Sequence, residues 1–406
     1  MTMPRKKVLM FVLNELIYDA RVLKSAQSLS DRYDLLLIGV WRRKFELNQD
    51  LERGKWPFQM AWVDLGRISK APRNIFGHVL RYSRVFHRIQ SMGIEFQPDL
   101  VHAHEASSLP IARAIQKATK ARLIYDAHEL YRDKAGLSPV LRKSLGWMET
   151  RILKSCDGII ACNVPRAEIM RDEYGAPFLP TVIPNMTRHR TFTPSTILQD
   201  MTGSSKLGIS KLVLYQGAII PGRGLEILPR ALRRLPDNFG IVIMGGGEPD
   251  YINGLGDLAN GLEVADRFFV LPPVSQSKLF PYTCSADVGI VIYQNTCRNN
   301  YYCAPNKLYE YSAAGTPMVG ADLPTIRQFI DGESVGSLFD PESHEDLARA
   351  ILEVCDKETF SRSFETCLEI AEKFSWESVS EIELHALYND ILEMRTQPNA
   401  GNERKR

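Results

Sequence analysis

With 406 residues, 44% hydrophobic and 24% charged, the chain has the length for two domains and the composition of a globular protein. No apolar run reaches the ~18–20 residues of a membrane-crossing helix, which argues against an integral helical membrane protein. The net charge of +2 conceals a division: residues 1–190 hold 31 Lys and Arg against 19 Asp and Glu (+12), and the remainder 19 against 29 (−10).

A half this basic points to an anionic partner, whether lipid headgroups, a polyanionic substrate or nucleic acid, or else to a solvated basic surface. The strand-end glycines below and the lack of interleaved aromatic and basic residues argue against nucleic acid.

The N-terminal "MTMPRKKVLMFVLNE" starts basic, but Asn14, Glu15 and Asp19 interrupt its apolar part, so it reads as a buried first strand rather than an export signal. Strand patterns follow at "DLLLIG", "DLVHAH", "RLIYDAH", "GIIACN" and "TVIPN". Helical periodicity occupies 19–30, 75–93, 107–118, 139–155 and 165–174. A polar, Thr- and Ser-rich stretch over 185–210 interrupts the pattern and serves as linker.

The alternation restarts with the strands "KLVLYQG", "GIVIMGGG", "RFFVLP", "DVGIVIY", "PMVGA" and "VGSLF". Helices are expected near 223–235, 275–284, 305–314, 325–331 and 342–355. Short apolar strands alternating with helices predict parallel sheets covered on both faces, and two successive series predict two doubly wound α/β domains. In such sheets ligands lie outside the carboxyl ends of the strands, so the residues just after each strand are where chemistry is sought.

The seven cysteines form no CxxC pair and are odd in number; without an export signal they suggest a reducing, cytoplasmic setting. Cys297 and Cys303 lie close together, but their spacing does not fit zinc, and no metal ligand set is assigned.

Three segments look specialised. In "LVLYQGAIIPGRGLEIL" a strand ends at Gly217 and a loop with Gly222, Arg223 and Gly224 leads into a helix. Glycines allow close backbone approach to a ligand, and the arginine fork matches phosphate oxygens. GxxxxGK[ST] and GxGxxG are both absent, so the common nucleotide fingerprints do not apply. In "IVIMGGGEPD" a strand runs into Gly245, Gly246 and Gly247, which offer backbone donors or simply a tight turn.

In "NNYYCAPNKLYEYSAAGTP", Pro305 suits a first helical position, yet Lys307 then falls where the helix dipole disfavours a cation. A bound anion would remove that cost, with Glu310 one turn on able to accept from paired hydroxyls. An i,i+3 ion pair is the plain alternative.

These segments, together with "DARVLKSAQSLSDRYDLLLIG", "PDLVHAHEASSLPIARA", "ARLIYDAHELY" and the C-terminal "FSWESVSEIELHALYNDIL", resemble retaining GT-B glycosyltransferases of family 4 (group 1) over nearly the whole chain. The resemblance implies two Rossmann-like doubly wound domains facing a central cleft. It implies an acceptor domain at 1–190, a linker at 191–210, a donor domain at 211–375, a closing helix at 376–396 and a frayed tail at 397–406. It further implies a nucleotide-diphosphate sugar as donor substrate, UDP-linked in preference to GDP-linked, with no cofactor or metal required. The partner would be a glycan or lipid-linked acceptor, with the enzyme cytoplasmic and peripheral at an anionic membrane surface.

By that resemblance His128, Arg223 and Lys307 are the catalytic residues. Gly217, Arg223, Gly245, Gly246, Tyr302, Pro305, Asn306, Lys307 and Glu310 hold the donor. Glu310 matches the second glutamate of the family's E-x7-E motif, and Tyr302 stands where the first would be. That departure keeps a catalytically impaired binding protein open as an alternative, beside an epimerase-like enzyme. His102, His104 and Glu105 read as acceptor-side or structural, and Asp19 with Arg21 as a first-helix entry or an internal ion pair.

Overall fold

The computed structural model describes residues 4–14, 16, 19–41, 56–64 and 75–393; Glu15 and the tail expected over 397–406 lie outside them. The chain divides into two compact units. Unit 1 comprises Met1–Arg132, Gly136–Pro184 and Glu381–Arg406, and unit 2 comprises Asp133–Ala135 and Asn185–Ser380.

Among the described residues unit 1 holds seven strands: β1 (Lys7–Phe11), β2 (Asp34–Trp41), β3 (Gln59–Asp64), β4 (Leu100–His104), β5 (Arg122–Ala127), β6 (Gly158–Ala161) and β7 (Thr181–Val182). They form one parallel sheet in the order β3-β2-β1-β4-β5-β6-β7. Leu9 and Met10 point to opposite faces of β1, and neither is exposed, so both faces of the sheet are covered. The covering helices start where their sequences provide caps. Asp19 accepts from the Val22 N–H at the start of Ala20–Ser30, Ser138 from Leu141 at Pro139–Leu153, and Asn163 from Arg166 at Val164–Asp172. The C-terminal helix Glu381–Glu393 packs in this unit, where Tyr388 bonds His102 at 2.8 Å.

Unit 2 repeats the plan with β8 (Lys211–Gln216), β9 (Phe239–Met244), β10 (Phe268–Leu271), β11 (Val288–Val291), β12 (Met318–Ala321) and β13 (Gly336–Phe339). The order is β10-β9-β8-β11-β12-β13, again all parallel. In both sheets the chain builds outward from its first strand and then crosses to the other side. That reversal opens a crevice at the carboxyl ends of β1 and β4 and of β8 and β11.

Several elements depart from the expectations. The helices Pro249–Gly261 and Lys357–Lys373 and the strand β3 are additional, and the linker stretch contains a short helix, Ile197–Thr202. The helix after the first glycine loop begins at Ile227, which leaves Arg223 in the loop. The helix expected from Pro305 begins at Lys307, because Asn306 is the residue whose carbonyl accepts from Tyr309 and Glu310. Pro305 therefore precedes the cap and makes only a turn bond to Leu308.

Candidate active site

The crevice of unit 2 brings two of the predicted residues, Arg223 and Lys307, to a tyrosine that the motifs did not single out, Tyr293. β8 ends at Gln216, and Gly217 follows with φ +140°, a conformation that favours glycine. A Cβ built there would lie 3.0 Å from Lys307 Nζ, so the ammonium rests directly against the loop backbone. Lys307 Nζ sits 5.8 Å from the Tyr293 ring centroid and 5.3 Å from that of Tyr215. The Arg223 guanidinium lies 4.9 Å from the same Tyr293 ring. Tyrosine faces attract cations, and here one ring gathers two. Burial works against the Lys307 charge, but Tyr293, Tyr215 and Glu310 outweigh it and the nearby Arg223, raising its pKa above the ordinary lysine value.

Glu310 is held from two sides: Gln216 Nε2 donates to one oxygen at 2.6 Å and Gln276 Nε2 to the other at 3.1 Å. Thr283 donates in turn to Gln216 Oε1 at 2.9 Å, which fixes the amide's orientation. Tyr302 closes the short helix Arg298–Tyr301 and meets the Tyr301 ring edge-on at 4.8 Å.

The glycine segments divide by role. The loop 217–219 runs alongside 245–247 as a continuation of the β8–β9 pairing, with Ile219 donating to the Gly246 carbonyl at 2.9 Å. A Cβ on Gly245 would fall 1.8 Å from Gly217 O, and one on Gly247 1.8 Å from Ile219 O. The Gly245 N–H, expected as a ligand donor, is already committed to Leu271 O at 3.2 Å. Gly245 and Gly247 are thus required by close backbone packing, whereas Gly246 faces open space apart from Pro273 at 3.7 Å.

In unit 1 the crevice holds a buried polar cluster. Arg21 grips Asp126 with two parallel bonds of 2.8 and 2.9 Å and donates to Ile183 O at 2.9 Å. The ion-pair partner of Arg21 is therefore Asp126; Asp19 serves as the helix cap. His104 Nδ1 lies 3.3 Å and His128 Nε2 3.6 Å from the same Asp126 oxygen, and the two rings meet at 3.2 Å. His128 Nδ1 faces Glu105 at 3.4 Å. With a carboxylate opposite each nitrogen, the imidazolium of His128 is favoured: burial opposes the charge, but Asp126, Asp19 and Glu105 outweigh it and push its pKa up to about 10.

Burial instead lowers His102 and His104 below the usual histidine range. Burial would raise the Asp126 pKa, but Arg21, His128 and His104 hold it well below the ordinary carboxylate value. His102, His104 and Asp126 bring ligand-type atoms together. Both Asp126 oxygens are committed to Arg21, however, and a divalent cation there would meet that guanidinium.

Tyr293, Tyr215, Gln216, Gln276, Thr283 and Asp126 were not among the anticipated site residues. Gln216 and Asp126 carried a signal, since each is a polar residue near the carboxyl end of an otherwise apolar strand.

Residues 26–188 match the family Glycosyltransferase Family 4, and residues 210–357 match Glycosyl transferases group 1. A curated relative, D-inositol 3-phosphate glycosyltransferase of Xylanimonas cellulosilytica, is 29% identical over 268 residues, covering 62% of this chain and 62% of the relative. The match thus spans less than two thirds of that protein's length. Sucrose-phosphate synthase from Thermosynechococcus elongatus superposes with a TM-score of 0.78 at 16% identity, covering 96% of this chain and 100% of that one. HepE from Anabaena, solved in complex with UDP and glucose, superposes with a TM-score of 0.72 at 16% identity, covering 97% and 100%. The chain has the GT-B fold, and its residues 26–188 and 210–357 are similar, in that order, to the Glycosyltransferase Family 4 and Glycosyl transferases group 1 domains.

Proposed function

We propose that the chain is a retaining, metal-independent glycosyltransferase. It moves a sugar from a nucleotide-diphosphate donor, UDP-linked in preference to GDP-linked, to a hydroxyl of a glycan or lipid-linked acceptor in surface polysaccharide or glycoconjugate assembly. The observation that carries this reading is the pair of cations, Arg223 and Lys307, gathered on Tyr293 beside the Gly217 backbone at the carboxyl ends of β8 and β11. A diphosphate carries the negative charge and the oxygen acceptors that a guanidinium and an ammonium so placed can bind. The UDP and glucose bound by HepE support the donor class.

In the proposed reaction the bond from the anomeric carbon to the donor phosphate oxygen breaks, and its electron pair leaves with the diphosphate. Arg223 and Lys307 stabilise that developing charge, the role a divalent cation plays in other transferases. The acceptor hydroxyl attacks from the leaving-group face, and a donor phosphate oxygen takes its proton. Glu310, oriented by Gln216, accepts from the ribose hydroxyls.

Arg223→Ala and Lys307→Met should each lower kcat by roughly 10²–10³-fold, the usual cost of removing a donor that stabilises transition-state charge. Near-wild-type turnover in both variants would overturn the diphosphate assignment, and loss of turnover on chelation, restored by a divalent cation, would overturn metal independence. Donor binding without turnover in the wild type would favour the binding-protein reading that Tyr302 raises.

A further inference from the structure

The helix Pro139–Leu153 in unit 1 has two unlike faces. Val140, Ser144, Trp147, Arg151 and Lys154 recur at the spacing of one helical face and are all exposed. Val140 is 79% exposed, Trp147 67% and the flanking Leu141 46%, so a large indole and two aliphatic side chains stand in solvent. The cations of residues 139–154, Arg142, Lys143, Arg151 and Lys154, are exposed as well. Its one acid, Glu149, is turned inward and 2% exposed, accepting from Arg132 Nε at 2.7 Å and from the Tyr125 hydroxyl at 3.0 Å. Arg132 also donates to Thr150 at 2.8 Å, so the inner face is pinned and the outer face has a fixed aim.

Apolar tips interleaved with cations, with the acid sequestered, are the complement of an anionic lipid surface: aliphatic and indole groups enter the headgroup–acyl boundary while the cations meet the phosphates. A second copy of this face is a poor partner, because a two-fold contact would set these cations against themselves. A purely polyanionic partner leaves Val140, Leu141 and Trp147 without a role.

We propose that this helix is the surface by which unit 1 docks on an anionic bilayer. The proposal deepens the lipid-linked reading above, but its test needs neither donor nor acceptor, so the two can fail separately.

The full chain is floated with vesicles of phosphatidylcholine alone and of an equimolar mixture with phosphatidylglycerol. Binding is expected only to the mixed vesicles and should weaken as salt is raised. Each surface cation removed should weaken it about fivefold, so Lys143→Ser with Arg151→Ser lowers partitioning about 25-fold. Val140→Ser with Trp147→Ser should also weaken it at unchanged charge. Ser144→Asp places an anion mid-face without removing packing and should do the same; melting curves exclude unfolding as the cause.

Equal flotation with neutral vesicles, no flotation at all, or variants that float like the wild type would each overturn the proposal. So would a dimer in solution that Trp147→Ser dissociates, or displacement by nucleic acid that ignores Val140 and Trp147.

Discussion

Arg21→Met should destabilise unit 1 by about 3 kcal/mol, and the loss should shrink as pH falls. Both partners are buried, Arg21 at 3% and Asp126 at 1% exposure, and two hydrogen bonds join them. Breaking such a pair from one side typically costs about 3–5 kcal/mol, because the remaining charge stays buried without its partner. His104 and His128 still face the Asp126 carboxylate, which places the loss near the lower end. For a unit of this length that corresponds to a fall in Tm of roughly 6–12 °C.

The pH dependence follows from the direction of the Asp126 shift. Its folded pKa is held well below the ordinary value, so its contribution is present above the unfolded pKa and is lost as pH falls through the folded one. Without Arg21 the carboxyl pKa rises, and protonation relieves the buried charge. The Tm deficit should thus be full above about pH 5 and smaller below about pH 4. The double variant Arg21→Met with Asp126→Asn should recover most of the loss. Circular dichroism melts across this range check each point. A Tm fall below about 2 °C, or a deficit that does not change with pH, would refute the reasoning.

Gly245→Ala should destabilise unit 2 by about 1–3 kcal/mol or more, since its Cβ meets the Gly217 carbonyl at 1.8 Å, while Gly246→Ala should be near neutral; thermal melts of the two variants decide. The His128 pKa is raised, so its stabilising charge is fully present below about pH 6.5 and lost as pH rises toward about 10. His128→Asn should flatten the wild-type decline in stability over that window, and urea titrations at several pH values measure it; an unchanged slope would show that His128 does not carry the charge.

The parallel strands were legible because, buried on both faces, they read as unbroken apolar runs: "KVLMF" and "FGIVIM" need no partner to be recognised. β3, "QMAWVD", lies at the sheet edge and is only partly buried, so its apolar signal is diluted. The helix Pro249–Gly261 carries Gly254, Gly256 and Gly261, which hide it from propensity although Leu255 and Ala259 bury one side.

At the site, Arg223 and Lys307 could be named from their places after strands, but the Tyr293 ring between them follows from the adjacency of β8 and β11. The Arg21–Asp126 pair joins residues 105 positions apart, and nothing local to either one announces the other.

The stitched glycine loop has a consequence for ligand binding. Segment 217–219 is tied to 244–248 by successive backbone bonds, and Tyr215 pins it further by donating to the Ala218 carbonyl at 2.8 Å. Such a segment loses little conformational freedom when an anion arrives, so the entropy of ordering it has been met during folding. Substitutions that loosen the stitching would then weaken the affinity of this crevice without touching any charged group in it.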